Sequence, residues 1–372
     1  MTIQQAAALA EVWVQELHAN PEGSFCEYKT TAFIRRICGE LGVETIDCGL
    51  ETGVLAWLDN GCAETVALRA DIDAVSFDNG PRHQCGHDYH TASLLGAIAY
   101  LKAHQTELRY NVACIFQCAE ENIAGARAMV DAGLWERFPQ RPTAVFGIHN
   151  RPELPVGTIG VHAGALMATK ADFRLVIRGR QGHGSTPEKC IDPILPAAEF
   201  TAELPSLVSH ELSPFEPAVC SVYSFHSGTD TNAAPLRATL TGSIRALRRE
   251  VHQLLKERVE SLAKATAESN RCHVEELTWY QDIPLLDNST ALYSRARAAA
   301  AATVGEEYVT DVMPCLGGED FAVFMEDIPG FYYWVGSGKG GDAPVHAWHS
   351  DGFSVAEGYL PVAVALLVNL VV

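Results

Sequence analysis

The chain has 372 residues, 48% of them hydrophobic and 20% charged, which allows a large buried core and argues against disorder. Its formal net charge of −19 at pH 7 repels phosphate backbones and anionic lipids, so we expect neither nucleic acid nor a membrane as a partner. The length favours two domains. The first residues lack a basic region followed by an apolar stretch, so we expect no secretory signal, a cytoplasmic location and cysteines without disulfides.

The first half of the chain predicts helices alternating with apolar strands. Helices are predicted at 4–18, 30–42, 88–104 and 123–134. Each of three strands ends in side chains that can bind metal or move protons: Asp71 and Asp73 on strand 65–73, Glu120 and Glu121 after strand 111–117, and His149 after strand 143–148. Such a pattern is typical of an α/β sheet covered on both faces. Because ligands bind beyond the carboxyl ends of such strands, we expect these side chains to meet in one crevice.

The pattern changes after residue 168. A β-α-β-β-α-β order is predicted there, with strands at 170–178, 217–225, 236–246 and 273–279 and helices at 190–208 and 249–267. The alternation of helices and strands seen in the first part resumes after Pro284. The apolar run 360–372 predicts a last buried helix. We therefore predict an α/β fold with a mixed-sheet domain, residues 1–168 and 283–372, and an inserted smaller α+β domain, residues 169–282.

The segment from His83 to His90 carries three histidines and a cysteine within eight residues. Thiolate and imidazole groups suit zinc and similar ions. Gly86 allows a sharp turn, so that Cys85 and His87 can face one point. The alternative is a polar loop that ends at a helix capped by Asp88.

Glu120 and Glu121 form a carboxylate pair at a strand end. Adjacent side chains diverge, so that one can bind a metal while the other takes a proton from water, as metal-assisted hydrolysis requires. The alternative is an acidic first turn of a helix, which the helix dipole favours.

The C-terminal part contains candidates that the residues alone do not rank. Either His346 or His349 can serve as a ligand, and the Glu319-Asp320 pair can cap a helix or orient ligands. The glycine-rich run 336–340 lacks the residue order of a phosphate loop, and 182–185 is not a nucleophile elbow. A serine hydrolase is therefore not predicted.

In these motifs and their order, the chain resembles the aminoacylase and carboxypeptidase-type metallohydrolases. It is most similar to the amidohydrolase branch that contains hippurate hydrolases, auxin-conjugate hydrolases and bacterial N-acyl amino acid hydrolases. The matching segments cover nearly the whole chain: 68–74, 85–91, 116–121, 147–150, 182–187, 242–245, 318–321 and 349–353.

The resemblance implies two divalent metal ions, Mn or Zn, with Co and Ni as further candidates. It implies the ligands Cys85, His87, Glu121, His149 and His349, and thereby chooses His349 over His346. Glu120 would be the general base and later the acid. We further expect Asp71 to orient His87 as a carboxylate behind the ligand.

The resemblance also assigns roles to the inserted domain. His183 and Asn232 match residues that contact the substrate carboxylate or the developing oxyanion, and Arg245 matches a residue that binds substrate or is structural. Relatives often dimerise through this domain, so we expect a lid and dimerisation domain in a homodimer, with His183 serving the partner's site.

The predicted function is metal-dependent hydrolysis of the amide bond of a small N-acyl amino acid, such as an N-acetyl or N-benzoyl derivative. One alternative is a dipeptidase or carboxypeptidase with the same site. Another is a metal-binding protein without catalysis, against which the presence of Glu120 argues. Two departures from relatives bear on the site: the short segment 75–84, and Cys118 in place of the usual proline, which we expect to add an oxidation-sensitive thiol.

Overall fold

The computed structural model describes residues 1–229 and 232–372. Its α-helices are α1 (Ile3–His18), α2 (Tyr28–Glu40), α3 (His87–Ala103), α4 (Gly125–Asp131), α5 (Leu134–Arg137), α6 (Ile194–Glu203), α7 (Ser206–Ser209), α8 (Arg249–Ser269), α9 (Tyr293–Val304) and α10 (Tyr359–Asn369). Within these described ranges, every helix is too short or too polar to cross a membrane. All eleven cysteines are free, as predicted.

The strands of the described residues follow in chain order. They are β1 (Glu44–Ile46), β2 (Val54–Leu58), β3 (Thr65–Asp71), β4 (Val75–Phe77), β5 (Gly80–Arg82), β6 (Asn111–Gln117), β7 (Ala144–Pro155), β8 (Ile159–Val161), β9 (Gly164–Met167), β10 (Thr169–Arg178), β11 (Gly182–His183), β12 (Ala218–Ser227), β13 (Ala233–Ala234), β14 (Arg237–Ala246), β15 (His273–Ile283), β16 (Leu286–Asn288), β17 (Val309–Asp311) and β18 (Gly330–Gly338).

These residues form two compact units. The first unit comprises Met1–Leu166, Asp287–Met313 and Glu319–Val372, and the second comprises Met167–Leu286 and Pro314–Gly318. The catalytic and lid roles expected for 1–168 with 283–372 and for 169–282 stay predictions.

The first unit is built on a mixed sheet with the strand order β1-β2-β6-β3-β7-β18-β8-β17. Strands β6, β3, β7 and β18 are parallel neighbours, whereas β2 and β8 pair antiparallel at either side of them. Every residue of β3 and β6 is buried, as expected for strands covered on both faces. The parallel register places the carboxyl ends of β3, β6 and β7 side by side.

Three helices of the first unit, α1, α3 and α10, pack together in its core. A Cβ at Gly96 of α3 would come within 2.8 Å of the Val364 side chain on α10 and within 3.2 Å of Ala10 Cβ on α1. Glycine at this position therefore permits the close approach of the three helices.

Strands β2 and β18 were not predicted, although both are apolar runs that are almost entirely buried. Helices α4 and α5 were predicted as a single helix, although Gly133 between them has a φ of 82°. Likewise α6 and α7 are separate, because Pro205 follows α6 and breaks the hydrogen-bond ladder.

The second unit has the predicted β-α-β-β-α-β order. Its four-stranded antiparallel sheet runs β12-β14-β10-β15, and α6 and α8 pack on it over a core that includes Phe173, Phe200, Leu240 and Leu255. The mixed sheet of the first unit and this smaller α+β unit confirm the predicted fold class.

Candidate metal centre

The ends of β3 and β6 and the start of α3 bring one histidine among three carboxylates. His87 Nε2 lies 3.6 Å from Asp71 Oδ2, 3.9 Å from Glu120 Oε2 and 3.7 Å from Glu121 Oε1. His87, Asp71 and Glu120 are buried. The one proton on His87 Nε2 cannot form hydrogen bonds to all three carboxylates. A cation bound between them would interact with all three.

Cys85 reaches the same region through the turn before α3. Gly86, the N-cap of α3, has a φ of 88°, which favours glycine. Cys85 Sγ then lies 3.6 Å from Nε2 of His149, which follows the buried part of β7. The turn at Gly86 thus places the Cys85 thiol next to His149.

Hydrogen bonds decide which histidine nitrogens face the site. His87 Nδ1 donates to Asp73 Oδ1 at 3.2 Å, and His149 Nδ1 donates to the Asn150 carbonyl at 2.8 Å. In each ring Nε2 is therefore left to bind a metal. His90 differs, because its Nδ1 donates to Asp71 at 2.6 Å while its Nε2 accepts the Asn150 N–H at 3.0 Å.

The turn that carries Glu120 and Glu121 has a strained backbone. Ala119 and Ile123, on either side of the pair, both have a φ of 54°, which is rare for residues other than glycine. The carboxylate of Glu27 accepts the Ala119 N–H at 2.8 Å and fixes one side of the turn. Strain held in this way fixes the directions of two adjacent carboxylates.

The C-terminal loop contributes His349. Its Nε2 lies 3.4 Å from Glu121 Oε2, its φ is 62°, and its N–H donates to the Gln84 carbonyl at 2.8 Å. Single ligand atoms of Cys85, Glu121 and His349 lie within 4.8 Å of one another. His346 belongs to no such group among the described residues.

Two observations indicate that these residues fit metal ions. His87 Nε2 and Glu121 Oε1 are buried without a hydrogen-bond partner although they lie only 3.7 Å apart. Glu121 also belongs to two ligand groups, one with Cys85 and His349 and one with His87 and Glu120. Thiolate, imidazole and carboxylate donors in such groups are those that bind zinc and related ions.

Glu120 also belongs to a second acidic cluster, in which ligand atoms of Glu120, Glu319 and Asp320 lie within 4.8 Å of one another. Here a buried arginine supplies the positive charge. Arg69 donates to Asp71 at 2.9 Å, to Glu319 at 2.9 Å and to Asp320 at 3.4 Å. This cluster is therefore a charge network of the fold and needs no ion.

Burial and neighbouring charges shift the pKa values of the site. Burial, followed by the charges of Glu319, Glu121 and Asp320, raises the pKa of Glu120 well above its usual range. Burial also raises the pKa of the Cys85 thiol. A carboxyl with a raised pKa can hold a proton near neutral pH, which is what a general acid and base requires.

Two expectations differ from the structure. The carboxylate bonded to His87 Nδ1 is that of Asp73, whereas Asp71 is bonded to His90 and Arg69. In the predicted strand 65–73 the two aspartates, two residues apart, would share one face, so the alternation could not separate them; in the structure β3 ends at Asp71. Cys118 is fully buried and burial raises the pKa of its thiol, so the expected sensitivity to oxidation is not supported.

The predicted residues of the second unit lie apart from these groups in sequence and have their own partners. The side-chain amide of Asn232 lies against His183, with Asn232 Nδ2 3.1 Å from His183 Nε2, and both side chains are exposed. Arg245 donates to the Leu316 carbonyl at 2.9 Å. Their roles toward a substrate stay predictions.

Three further residues of the site were overlooked: Arg69, Asn150 and Trp348. A charge in the middle of an apolar strand was a signal for Arg69, since a buried guanidinium requires partners. Asn150 and Trp348 adjoin the predicted ligands His149 and His349, and position was the only signal for them.

Comparisons with known proteins agree with this geometry. The model of the peptidase family M20/M25/M40 matches residues 67–372. An N-acetylcysteine deacetylase of Bacillus subtilis is 36% identical over 96% of this chain and 94% of its own length. The IAA-amino acid hydrolase ILR1-like 4 of Arabidopsis thaliana is 33% identical over 95% of this chain and 82% of its own.

A solved structure is also similar across almost the whole chain. The YXEP protein of Bacillus subtilis, described as a dinuclear metal binding peptidase from the M20 family, has a TM-score of 0.81 and 34% identity, with 99% of this chain and 98% of that chain covered. The chain therefore belongs to the peptidase family M20/M25/M40 and is a metal-dependent hydrolase of amide or peptide bonds.

Proposed function

We propose that this chain hydrolyses the amide bond of small N-acyl amino acids, such as N-acetyl or N-benzoyl derivatives. The observation that carries the proposal is the position of Glu120, a buried carboxylate 3.9 Å from His87 Nε2 within the candidate ligand groups. The N-acyl substrate class is supported by the deacetylase and the amino acid conjugate hydrolase to which the chain is similar.

We assign the ligand roles to Cys85, His87, Glu121, His149 and His349, with two divalent ions as the cofactor. The presence of Glu121 in two ligand groups supports two metal ions rather than one. The thiol and imidazoles suit Zn and the carboxylates suit Mn, with Co and Ni as further candidates. When bound, such ions lower the pKa of water toward about 7 and polarise a carbonyl.

Glu120 then moves the proton. Its carboxylate accepts a proton from the attacking water, whose oxygen forms the new bond to the amide carbon. The same carboxyl delivers that proton to the amide nitrogen as the carbon–nitrogen bond breaks, which releases a carboxylic acid and an amine. The raised pKa of Glu120 suits both steps, since the group must gain and lose one proton near neutral pH.

We assign His183 and Asn232 to the substrate, as donors to its carboxylate or to the developing oxyanion, and Arg245 as a further candidate. One well-placed donor to an oxyanion contributes about 3–4 kcal/mol. We also propose that the protein is a homodimer in which His183 serves the partner's site. Mixing the separately inactive variants His183→Ala and Glu120→Gln should then restore part of the activity.

A peptidase acting on dipeptides is the second candidate. It is favoured by the solved relative, which is described as a peptidase and is 34% identical. The same five ligands and the same Glu120 would serve it, so only the group on the acyl side of the bond differs.

The decisive experiment measures amine release from N-acetyl, N-benzoyl and long-chain N-acyl amino acids and from dipeptides. The protein is stripped of metal and reconstituted separately with Mn and with Zn. Metal-dependent release from acyl amino acids supports the proposal, and release from dipeptides alone supports the second candidate. No release from any substrate by protein that holds both metals would contradict both.

A further inference from the structure

Asn150 is a fully buried residue that joins the segments carrying the candidate ligands. Its side-chain amide Nδ2 donates to the Cys85 carbonyl, and its backbone N–H donates to His90 Nε2 at 3.0 Å. A Cβ at Gly86 would lie 2.4 Å from Asn150 Nδ2. The glycine that turns the Cys85 segment therefore also makes room for this amide.

The other end of the same amide receives two donors. Trp348 Nε1 donates to Asn150 Oδ1 at 3.1 Å, and Ser337 Oγ donates to it at 3.3 Å. Ser337 lies on β18, where no candidate ligand lies, whereas Trp348 directly precedes His349. One oxygen is thus bonded to a strand of the sheet and to the loop that carries a ligand.

Apart from the backbone bond from the His349 N–H to the Gln84 carbonyl at 2.8 Å, the attachments of the loop around His349 are mostly exposed. The His349 side chain is 49% exposed, and the nearby Arg82–Asp351 ion pair, at 3.2 Å, is exposed and contributes little. The indole of Trp348 is partly buried, with its ring centre 5.1 Å from that of His149 and stacked 5.7 Å from that of Trp334. Trp348 is therefore the best-anchored side chain next to His349.

We propose that the hydrogen bond from Trp348 to Asn150 is a latch that positions His349 for metal binding. Removing the indole N–H would free the His349 loop at one point, while Asn150 keeps its bonds to the Cys85 carbonyl, His90 and Ser337. The latch would therefore act more on a metal held by Cys85, Glu121 and His349 than on one held by His87. Trp348 and Asn150 are thus positioning residues. This inference rests on the ligand roles assigned under the proposed function.

The test is a zinc titration of the full-length, metal-free protein against a competing chelator, which resolves two dissociation constants. Trp348→Phe keeps an aromatic ring and removes the N–H. Loss of a partner behind a ligand typically weakens metal binding about 10–100-fold, so one constant should rise by that factor and the other should stay within about threefold. Ser337→Ala, which removes the other donor to the same oxygen, should leave both constants within about threefold.

Two more variants separate the latch from the ligand assignment. His349→Ala should abolish zinc binding at the site that Trp348→Phe weakens. The double variant should bind zinc like His349→Ala alone, because the latch acts through His349. If His349→Ala binds both metals normally, the ligand assignment and the latch both fail. If His349→Ala loses a metal but Trp348→Phe binds both normally or weakens both equally, only the latch fails. The melting temperature of the metal-free variants checks that their folds are comparable.

Discussion

Two clusters of charged side chains share Glu120, and they differ in how their charge is balanced. In the cluster of Arg69, the guanidinium is fully buried and bonded to Asp71, Glu319 and Asp320 at 2.9 to 3.4 Å. In the cluster of His87, the atoms His87 Nε2 and Glu121 Oε1 are buried without partners. The first cluster contains its own cation, and the second is arranged to receive one.

This difference separates structure from function within one acidic region. Buried charges cost free energy unless they are paired, so a protein retains unpaired ones where something binds. Proximity of acidic atoms alone would have marked both clusters as metal sites. Glu120 belongs to both neighbourhoods, and the carboxylates on the Arg69 side help to raise its pKa.

The largest expected effect comes from Glu120→Gln. The amide cannot accept the proton, and the loss of a general base typically lowers turnover about 10²–10⁴-fold. Metal content should be unchanged, because the ligands remain. Glu121→Gln, the same change one residue on, is the matched control and should lose metal instead. Steady-state rates and metal analysis of both variants provide the check, and normal turnover by Glu120→Gln would exclude it as the base.

Arg69→Met should produce the next largest effect, this time on stability. Removing one member of a buried ion pair typically costs about 3–5 kcal/mol, because the remaining carboxylates are left uncompensated. Burial raises the pKa of Asp320 to about 8 although Arg69 lowers it, and loss of Arg69 should raise it further. The loss of stability should therefore be smaller at about pH 6, where Asp320 holds a proton, than at about pH 9. Denaturant unfolding of the metal-free protein at two pH values measures this, with exposed Arg237→Met as a control that should change little.

The two clusters also show which features of the site can be predicted from the sequence. Strands β3, β6 and β7 and the residues at their ends were predicted, because continuous apolar runs and local motifs carry that information. Pairing between distant segments was not predicted. Arg69 bonds to Glu319 across 250 positions, and Trp348 bonds to Asn150 across 198, and nothing in the local pattern marks such pairs.

Choices between chemically equivalent neighbours were also beyond the sequence. Asp71 and Asp73 lie two residues apart, and only the hydrogen bonds of the folded chain assign Asp73 to His87 and Asp71 to His90. His346 and His349 were ranked by resemblance alone, and the structure places His349 Nε2 3.4 Å from Glu121 Oε2, a contact between distant segments that the local sequence does not show.

Metal removal should have a smaller effect on stability, and this effect should come from the cluster of His87. A ligand that binds only the folded state stabilises it by about 2.7 kcal/mol when present at about 100 times its dissociation constant. Adding Zn to the metal-free protein should therefore raise the melting temperature. The melting temperature of Ser337→Ala should rise by the same amount. That of His349→Ala should rise by at most half as much. An unchanged melting temperature with bound zinc would contradict a metal site built from folded-state contacts.

The smallest effect is a pH dependence that distinguishes the two clusters. Burial raises the pKa of the Cys85 thiol. Burial lowers the pKa of His87, but the charge of Asp71 and the hydrogen bond to Asp73 outweigh it and raise that pKa, so both groups hold protons in the metal-free protein. Metal binding must displace these protons, and the apparent affinity should rise by about tenfold per pH unit for each proton released.

Asp71 behaves in the opposite way and provides the internal comparison. Burial alone would raise its pKa, but His87 and Arg69 lower it well below the usual range. A carboxylate with a lowered pKa contributes stability that is present above its unfolded pKa and is lost only in acid. Between about pH 6 and pH 8, zinc affinity should therefore rise while Asp71 leaves the unfolding free energy of the metal-free protein unchanged. Zinc titrations with proton release measured in two buffers test this, and pH-independent zinc binding would show that Cys85 and His87 are not the ligands.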